Sequence, residues 1–207
     1  MLLAFDIGNS NIRAGIFHGN DLIGDLRIYT DTNKTSDEYG LIVLEFLKHK
    51  GIENRQVTGV IVSSVVPKIT AQLKEMSPRW FREKALVVSS DLNLGMKINY
   101  DDPKELGADR IVNAIAGYEE YGGNLIVVDL GTATTFDAVS EEGDFMGGVI
   151  APGAGISMEA LAGKTALLPK IDLTQKPKAI GNDTISCIQS GCYFGFLGQM
   201  EEIIRRI

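Results

Sequence analysis

The chain has 207 residues, 44% hydrophobic and 23% charged, with a formal net charge of −7. That is an ordinary globular composition, long enough for one domain or two small ones and for a core that buries roughly 70% of the unfolded surface. The acidic balance excludes nucleic acid as the main partner, because backbone phosphates need clustered Lys and Arg and the longest basic run is Arg205–Arg206. No apolar run approaches the ~18 residues that cross a bilayer, so no membrane partner is expected. Met1–Phe5 is too short for a signal segment before it meets Asp6, and the expected location is the cytoplasm.

In chain order, Leu2–Asp6 reads as a buried strand, Ile12–Phe17 returns, and Gly19–Asp21 turns into Leu22–Tyr29, a three-strand meander. Thr35 and Glu38 form a capping box for a helix that Gly51 stops, with Leu41, Leu44, Leu47 and Ile42 expected on its buried face. Val57–Val62 is apolar and β-branched, a buried strand. Ser63-Ser64-Val65-Val66 follows, and Pro67 opens a helix through about Met76. Trp80 and Phe81 are expected to pack, and Ala85–Ser89 is another strand, so this part reads βββαβαβ. Pro103 and Gly107 punctuate a loop before a helix with Ile111, Ile115 and Tyr118 on one face.

A second meander follows in Leu125–Asp129, Thr134–Ser140 and Phe145–Ile150. Glycine-rich Ala151–Gly155 leads into a helix over Ile156–Ala162. Leu167–Pro169 opens an irregular loop through Ile180, and Asn182-Asp183-Thr184 starts a last helix to Ile207. Gly191, Gly195 and Gly198 in that helix each cost about 1 kcal/mol against Ala, which points to close approach of another helix, with a subunit contact as one way to supply it. Cys187 and Cys192 fit neither a redox pair nor a metal knuckle and are expected to be buried free thiols. His18 and His49 fall in a turn and at a helix end, and neither reads as a ligand.

Two stretches repeat one device. In Leu3–Asn11 an apolar run ends in Asp6, then Ile7, Gly8 and small polar residues; in Val127–Asp137 the run ends in Asp129, then Leu130, Gly131, Thr132, Thr134 and Thr135. An acid at a strand end can hold a hard cation or its water shell. A neighbouring glycine lets backbone N–H groups approach an anion, and hydroxyls add donors. Two such turns could grip a nucleotide triphosphate and its Mg²⁺; ordinary hairpins with polar turns are the plainer reading, although these need neither acid nor hydroxyls. Asp109 and Arg110 also read two ways. They are a helix-start acid favoured by the dipole beside a solvated arginine, or a base with an arginine that forks onto a carboxylate.

Asp6–Asn11 with Asp129–Thr135 resemble the two phosphate-binding turns of the actin/hexokinase/Hsp70 ATPase superfamily. Tyr100 with Pro103, Leu106–Arg110, Val128–Thr135, Gly147-Gly148 with Pro152-Gly153, and Asn182–Thr184 narrow the resemblance to type III pantothenate kinase, in order over nearly the whole chain. The resemblance implies an α/β, duplicated actin-like ATPase (ribonuclease H-like) fold with two βββαβαβ-type halves, 1–122 and 123–207. The second is short at its C-terminus, where the family usually continues with another strand, a T-G-G-like turn and closing helices.

The resemblance also implies an activity: ATP-dependent phosphorylation of pantothenate to 4'-phosphopantothenate, the first step of coenzyme A biosynthesis. The enzyme would be a homodimer with the pantothenate site completed at the interface. Asp6, Ile7, Gly8, Asn9, Ser10, Asn11, Ile12 and Arg13 would form the first ATP loop, with Asp6 near Mg²⁺, indirectly. Thr132 would contact ATP from the second loop, and Asp129 would ligate a monovalent cation, K⁺ or NH₄⁺. Tyr100, Gly107, Ala108, Asp109, Arg110 and Thr184 would hold pantothenate, with Asp109 the general base. Phosphoryl transfer asks mainly for alignment and charge neutralisation. Two other readings remain open: a non-catalytic binding or regulatory homologue, and an actin-like phosphotransferase or phosphatase acting on another small substrate.

Overall fold

The structure, a computed structural model, describes residues 1–165, 168–169, 171–172 and 176–207. The loop expected from Leu167 to Ile180 therefore lies partly outside the described residues. The chain divides into two compact units, Met1–Gly95 with Asp101–Asn113, and Met96–Tyr100 with Ala114–Ile207.

The first unit is built on a five-stranded sheet of order β3-β2-β1-β4-β5, from β1 (Leu2–Ile7), β2 (Asn11–His18), β3 (Asp21–Tyr29), β4 (Gly59–Ser64) and β5 (Ala85–Val87). The first three strands form the antiparallel meander, and β4 and β5 run parallel to β1. Alternation sorts the side chains: Leu3, Phe5 and Ile7 on β1, Ile12, Ala14 and Ile16 on β2, and Val60 and Val62 on β4 are buried. They form one core with α1 (Ser36–His49) and α2 (Pro67–Phe81), which contribute Tyr39, Val43, Leu47, Ile69, Leu73 and Met76. Each Val, Leu, Ile, Phe or Met buried there is worth about 1.5–3 kcal/mol.

The capping box of α1 forms: Thr35 Oγ1 accepts from the Glu38 N–H, and the Glu38 carboxylate accepts the Thr35 N–H at 2.8 Å. Gly51, at φ +71, ends the helix, with its N–H donated to Lys48 O and that of Ile52 to Leu47 O, the paired bonds of a Schellman motif. The buried face differs from expectation. Tyr39, Val43, Phe46 and Leu47 point inward, and Leu41 is 58% exposed. Two residues beyond Tyr39, Leu41 lies about 200° round the helix, and the aromatic ring fixes which side turns in. The second helix runs past Met76 through Pro78 to Phe81. Met76, Ser77 and Phe81 are buried, Ser77 Oγ donates to Glu83 O at 2.6 Å, and Arg82 closes the turn at φ 63 with its N–H on Pro78 O. Packing outweighs the single helix bond that Pro78 removes. Trp80 and Phe81 pack on the core as expected.

The second unit carries the other meander, an antiparallel sheet β6-β7-β8 from β6 (Leu125–Leu130), β7 (Ala133–Val139) and β8 (Phe145–Pro152). The segment before α3 (Ala108–Tyr121) adds to β8: Phe145 N–H donates to Lys97 O and Asn99 N–H to Phe145 O, both at 2.9 Å. Phe136, Val139 and Phe145 are buried. After β8 come α4 (Ala154–Lys164), two residues earlier than expected, and α5 (Thr184–Arg206). No strand follows β8 among the described residues, so this half reads βββαα. One expectation for α5 fails. Cys187 is exposed and Cys192 half-exposed, because this helix buries only Ser190 among its described residues. No atom comes within 4 Å of where a Cβ would stand at Gly191, Gly195 or Gly198, so the helix expected against them is not a described helix of this chain. No described helix is long and apolar enough to cross a membrane.

Two stability predictions follow from these contacts. A Cβ on Gly40 would stand 2.4 Å from Trp80 Nε1. Gly40→Ala should therefore destabilise by about 1–2 kcal/mol in urea unfolding, overpacking outweighing its better helix propensity, and adding Trp80→Leu should recover part of the loss. Asp183 caps α5: its carboxylate accepts the Ser186 N–H at 2.9 Å and the Ser186 hydroxyl at 2.9 Å. The Ser186 backbone N–H, then its hydroxyl, hold the Asp183 pKa below the ordinary aspartate value. The charged cap is thus complete above the ordinary aspartate range and is lost as pH falls through the depressed pKa. Amide exchange at Thr184–Cys187 should accelerate there relative to neighbouring helices, and Asp183→Asn should flatten that dependence.

Candidate active site

In the first unit, the turn after β1 is shaped by backbone. Gly8 N–H donates to Asn11 O at 2.9 Å, closing four residues between the paired Ile7 and Ile12. Thr30, just past β3, braces the turn from behind: its hydroxyl donates to Gly8 O at 2.7 Å and its N–H to Ser10 O at 3.1 Å. Arg27 Nε donates to Asn11 Oδ1 at 3.1 Å. Asp6, Asn9, Ser10 and Arg13 are exposed, and Ile7 and Ile12 are buried. Asp6 sits in register with Arg13 on β2 and Ser63 on β4, at the carboxyl end of parallel strands, where open α/β sheets take ligands.

The second motif of this unit starts with Asp102, whose carboxylate accepts the Lys104 N–H at 3.0 Å over the short 3₁₀ turn Pro103–Glu105. Gly107 then leads into α3. Asp109 Oδ1 accepts the Arg110 N–H at 2.8 Å, which orients the carboxylate. Arg110 is only 6% exposed, so the solvated-arginine reading does not hold; a guanidinium taken from water serves a specific contact or costs several kcal/mol. A Cβ on Gly107 would stand 2.6 Å from Asp109 Oδ1 and 3.7 Å from Val65 Cγ1, so glycine makes room for the carboxylate. Val65 in turn donates its N–H to Ile7 O at 3.1 Å. Val65 thus links the Asp6 turn to the Gly107–Arg110 motif, nearly a hundred residues on in sequence.

The second unit holds the other turn. Asp129 and Thr135 are in register, as are Leu130 and Thr134, and Gly131 N–H donates to Ala133 O at 3.0 Å. Three residues close this turn, one fewer than the first, although the acid and glycine keep their spacing. Its brace is backbone: Gly153 N–H donates to Thr132 O at 3.1 Å, and a Cβ at 153 would lie 2.4 Å from both Gly131 O and Thr132 O. Thr132 is exposed and Thr134 buried. A cavity of about 190 Å³ beside the turn is lined by Leu130, Gly131, Thr134, Phe196 and Gln199, among others. Tyr100 stands edge-on to Phe145, ring centroids 6.1 Å apart. Thr184 is the exposed first residue of α5, set by the Asp183 cap.

The first unit therefore gathers Asp6–Arg13 with Gly107–Arg110, and the second holds Asp129, Thr132, Tyr100 and Thr184 at three places. No group of three His, Cys, Asp or Glu that could hold a metal occurs among the described residues. The exposed Asp6 carboxylate beside the Gly8 turn still fits Mg²⁺, which keeps its waters and is usually held by one or two carboxylates plus substrate phosphates. Around Asp129 the donors are oxygens of a carboxylate, hydroxyls and carbonyls, which fits a hard monovalent cation. Gly153 stood in the Pro152-Gly153 motif without a role assigned to it, whereas the parts played by Thr30 and Val65 carry no sequence signal beyond their place at strand ends.

A type III pantothenate kinase family profile matches residues 2–206. The type III pantothenate kinase of Moorella thermoacetica is 48% identical over 207 residues, all of this chain and 82% of that protein. That of Geotalea daltonii is 47% identical over all of this chain and 81% of that protein. A crystal structure of a Campylobacter jejuni protein described as a Baf family transcriptional activator superposes with a TM-score of 0.59 at 21% identity, over 97% of this chain and 78% of that one, which shows shared fold alone. With both acid turns and the Gly107–Arg110 motif formed, the chain belongs to the type III pantothenate kinase family.

Proposed function

We infer that this chain transfers the γ-phosphoryl group of ATP to the primary hydroxyl of pantothenate, giving 4'-phosphopantothenate, the first step of coenzyme A biosynthesis. The observation that supports the reading is the place of Val65, whose N–H donates to Ile7 O just before the Asp6 turn closes and whose Cγ1 lies 3.7 Å from where a Gly107 Cβ would stand, since a phosphoryl transfer needs its base and its phosphate grip at one place.

Asp109 takes the proton of the attacking hydroxyl as the oxygen closes on the γ-phosphorus. The Arg110 N–H at 2.8 Å holds the carboxylate in position for that transfer. Arg110, with Tyr100, Gly107, Ala108 and Thr184, binds pantothenate, and the guanidinium fork suits its carboxylate. Asp6–Arg13 grips the phosphates of ATP, with Gly8 keeping the backbone close, and Thr132 contacts ATP from the second turn. Asp6 would hold Mg²⁺, through water, and Asp129 a monovalent cation, K⁺ or NH₄⁺; when bound, these neutralise charge on the phosphates. Residues 1–122 and 123–207 are the two halves of the duplication. The open Gly191, Gly195 and Gly198 positions on α5 suit a second copy of the chain, in a homodimer. Reliance on ATP goes with a cytoplasmic location.

Two measurements test these assignments. Asp109→Asn should cut kcat by about 10²–10⁴, the usual worth of a general base, with the KM for ATP little changed; full turnover in that variant would overturn the base assignment. Pantothenate-dependent ADP release should be high in K⁺ and low in Na⁺ buffer. Asp129→Ala should be slow in both; a variant still activated by K⁺ would move the cation site elsewhere.

A further inference from the structure

We propose that Ser63 is a positioning residue for the Asp6 carboxylate and, through it, for the phosphates of ATP. The idea rests on reading the Asp6 turn as the phosphate grip. Ser63 is 6% exposed, and its Oγ is buried with no hydrogen-bond partner among the described residues. Its neighbour Ser64 is different: that hydroxyl accepts from Thr70 Oγ1 at 2.7 Å and from the Val66 N–H at 3.1 Å, so it serves the start of α2. No described residue bonds the Ser63 hydroxyl in that way. A buried hydroxyl left unsatisfied lowers stability, and alanine would fill the site without that loss.

Alternation says where the hydroxyl goes. Val60 and Val62 on β4, and Phe5 and Ile7 on β1, enter the core shared with α1 and α2. Ser63 and Asp6 therefore leave the opposite face, and they are register partners on neighbouring parallel strands. The hydroxyl has one proton to give, and the in-register carboxylate is its natural acceptor. When nucleotide fills the turn, Asp6 rotates to accept it. That bond fixes the Asp6 rotamer and aims its second oxygen toward the hydrated cation on the phosphates.

The test compares Ser63→Ala, isosteric Ser63→Cys and Asp6→Asn with the unaltered chain. Mg·ADP affinity is read by calorimetry, kcat and KM by ADP release, and melting temperature without ligand. Both Ser63 variants should weaken Mg·ADP by about tenfold, the scale of a hydrogen bond to a charged group, and raise the KM for ATP similarly. The KM for pantothenate should not move, and Ser63→Ala should melt no lower than the unaltered chain. Normal Mg·ADP affinity in Ser63→Cys, with Asp6→Asn weakened, overturns the role of Ser63 and leaves the Asp6 turn as the grip. Normal affinity in Asp6→Asn overturns both. A lowered melting temperature in Ser63→Ala together with normal affinity in Ser63→Cys assigns the residue to packing alone.

Discussion

The pairing of β1 with β4 is the constraint on which the first unit depends. It sets Asp6 against Ser63 and Ile7 against Ser64, and the Val65 N–H extends it by one more bond to Ile7 O. Side chains alternate along a strand, so a slip of one residue would carry Asp6 into the core and turn Ile7 out. The hydrophobic set of Leu3, Phe5, Ile7, Val60 and Val62 forbids that slip. The core thus does more than stabilise: it sets the position of a carboxylate that takes no part in it. Val65 then stands close to Gly107, where an added Cβ would lie 3.7 Å from Val65 Cγ1.

The two acid turns solve one problem with different parts. Both end an apolar strand in an acid and place a glycine two residues on. The first spans four residues and is braced by the hydroxyl and N–H of Thr30. The second spans three and is braced by the backbone of Gly153. Asp6 faces Arg13 across its hairpin, whereas Asp129 faces Thr135. On the roles proposed for them, a cationic neighbour would suit the carboxylate placed beside phosphates, and a hydroxyl would suit the one placed around a bare cation.

Local signals were readable in the sequence because they act locally. The Thr35–Glu38 box, the Gly51 stop, both meanders and both acid turns depend on residues a few positions apart, and all formed. The family resemblance rested on the same kind of short motif. What could not be read depends on partners far along the chain. The inward face of α1 was decided by Tyr39 rather than by the leucine count. Pro78 was overruled by the burial of Met76, Ser77 and Phe81 on either side. The burial of Arg110 and the place of Val65 between two motifs exist only once the sheet is assembled. The exposure of Cys187 reflects how little of α5 the rest of the described chain covers.

The two braces also differ in how they tolerate genetic change. At position 30 a hydroxyl does the work, so a codon change from threonine to serine keeps the donor. At position 153 the useful property is the absence of a side chain, since even a methyl would meet two carbonyl oxygens at 2.4 Å. Every missense codon there adds that methyl or more. The second turn therefore carries a position with no conservative alternative, although glycine itself brings no side chain to the site. A lesion at Gly153 would resemble an active-site mutation in its effect while leaving each residue of the chemistry in place.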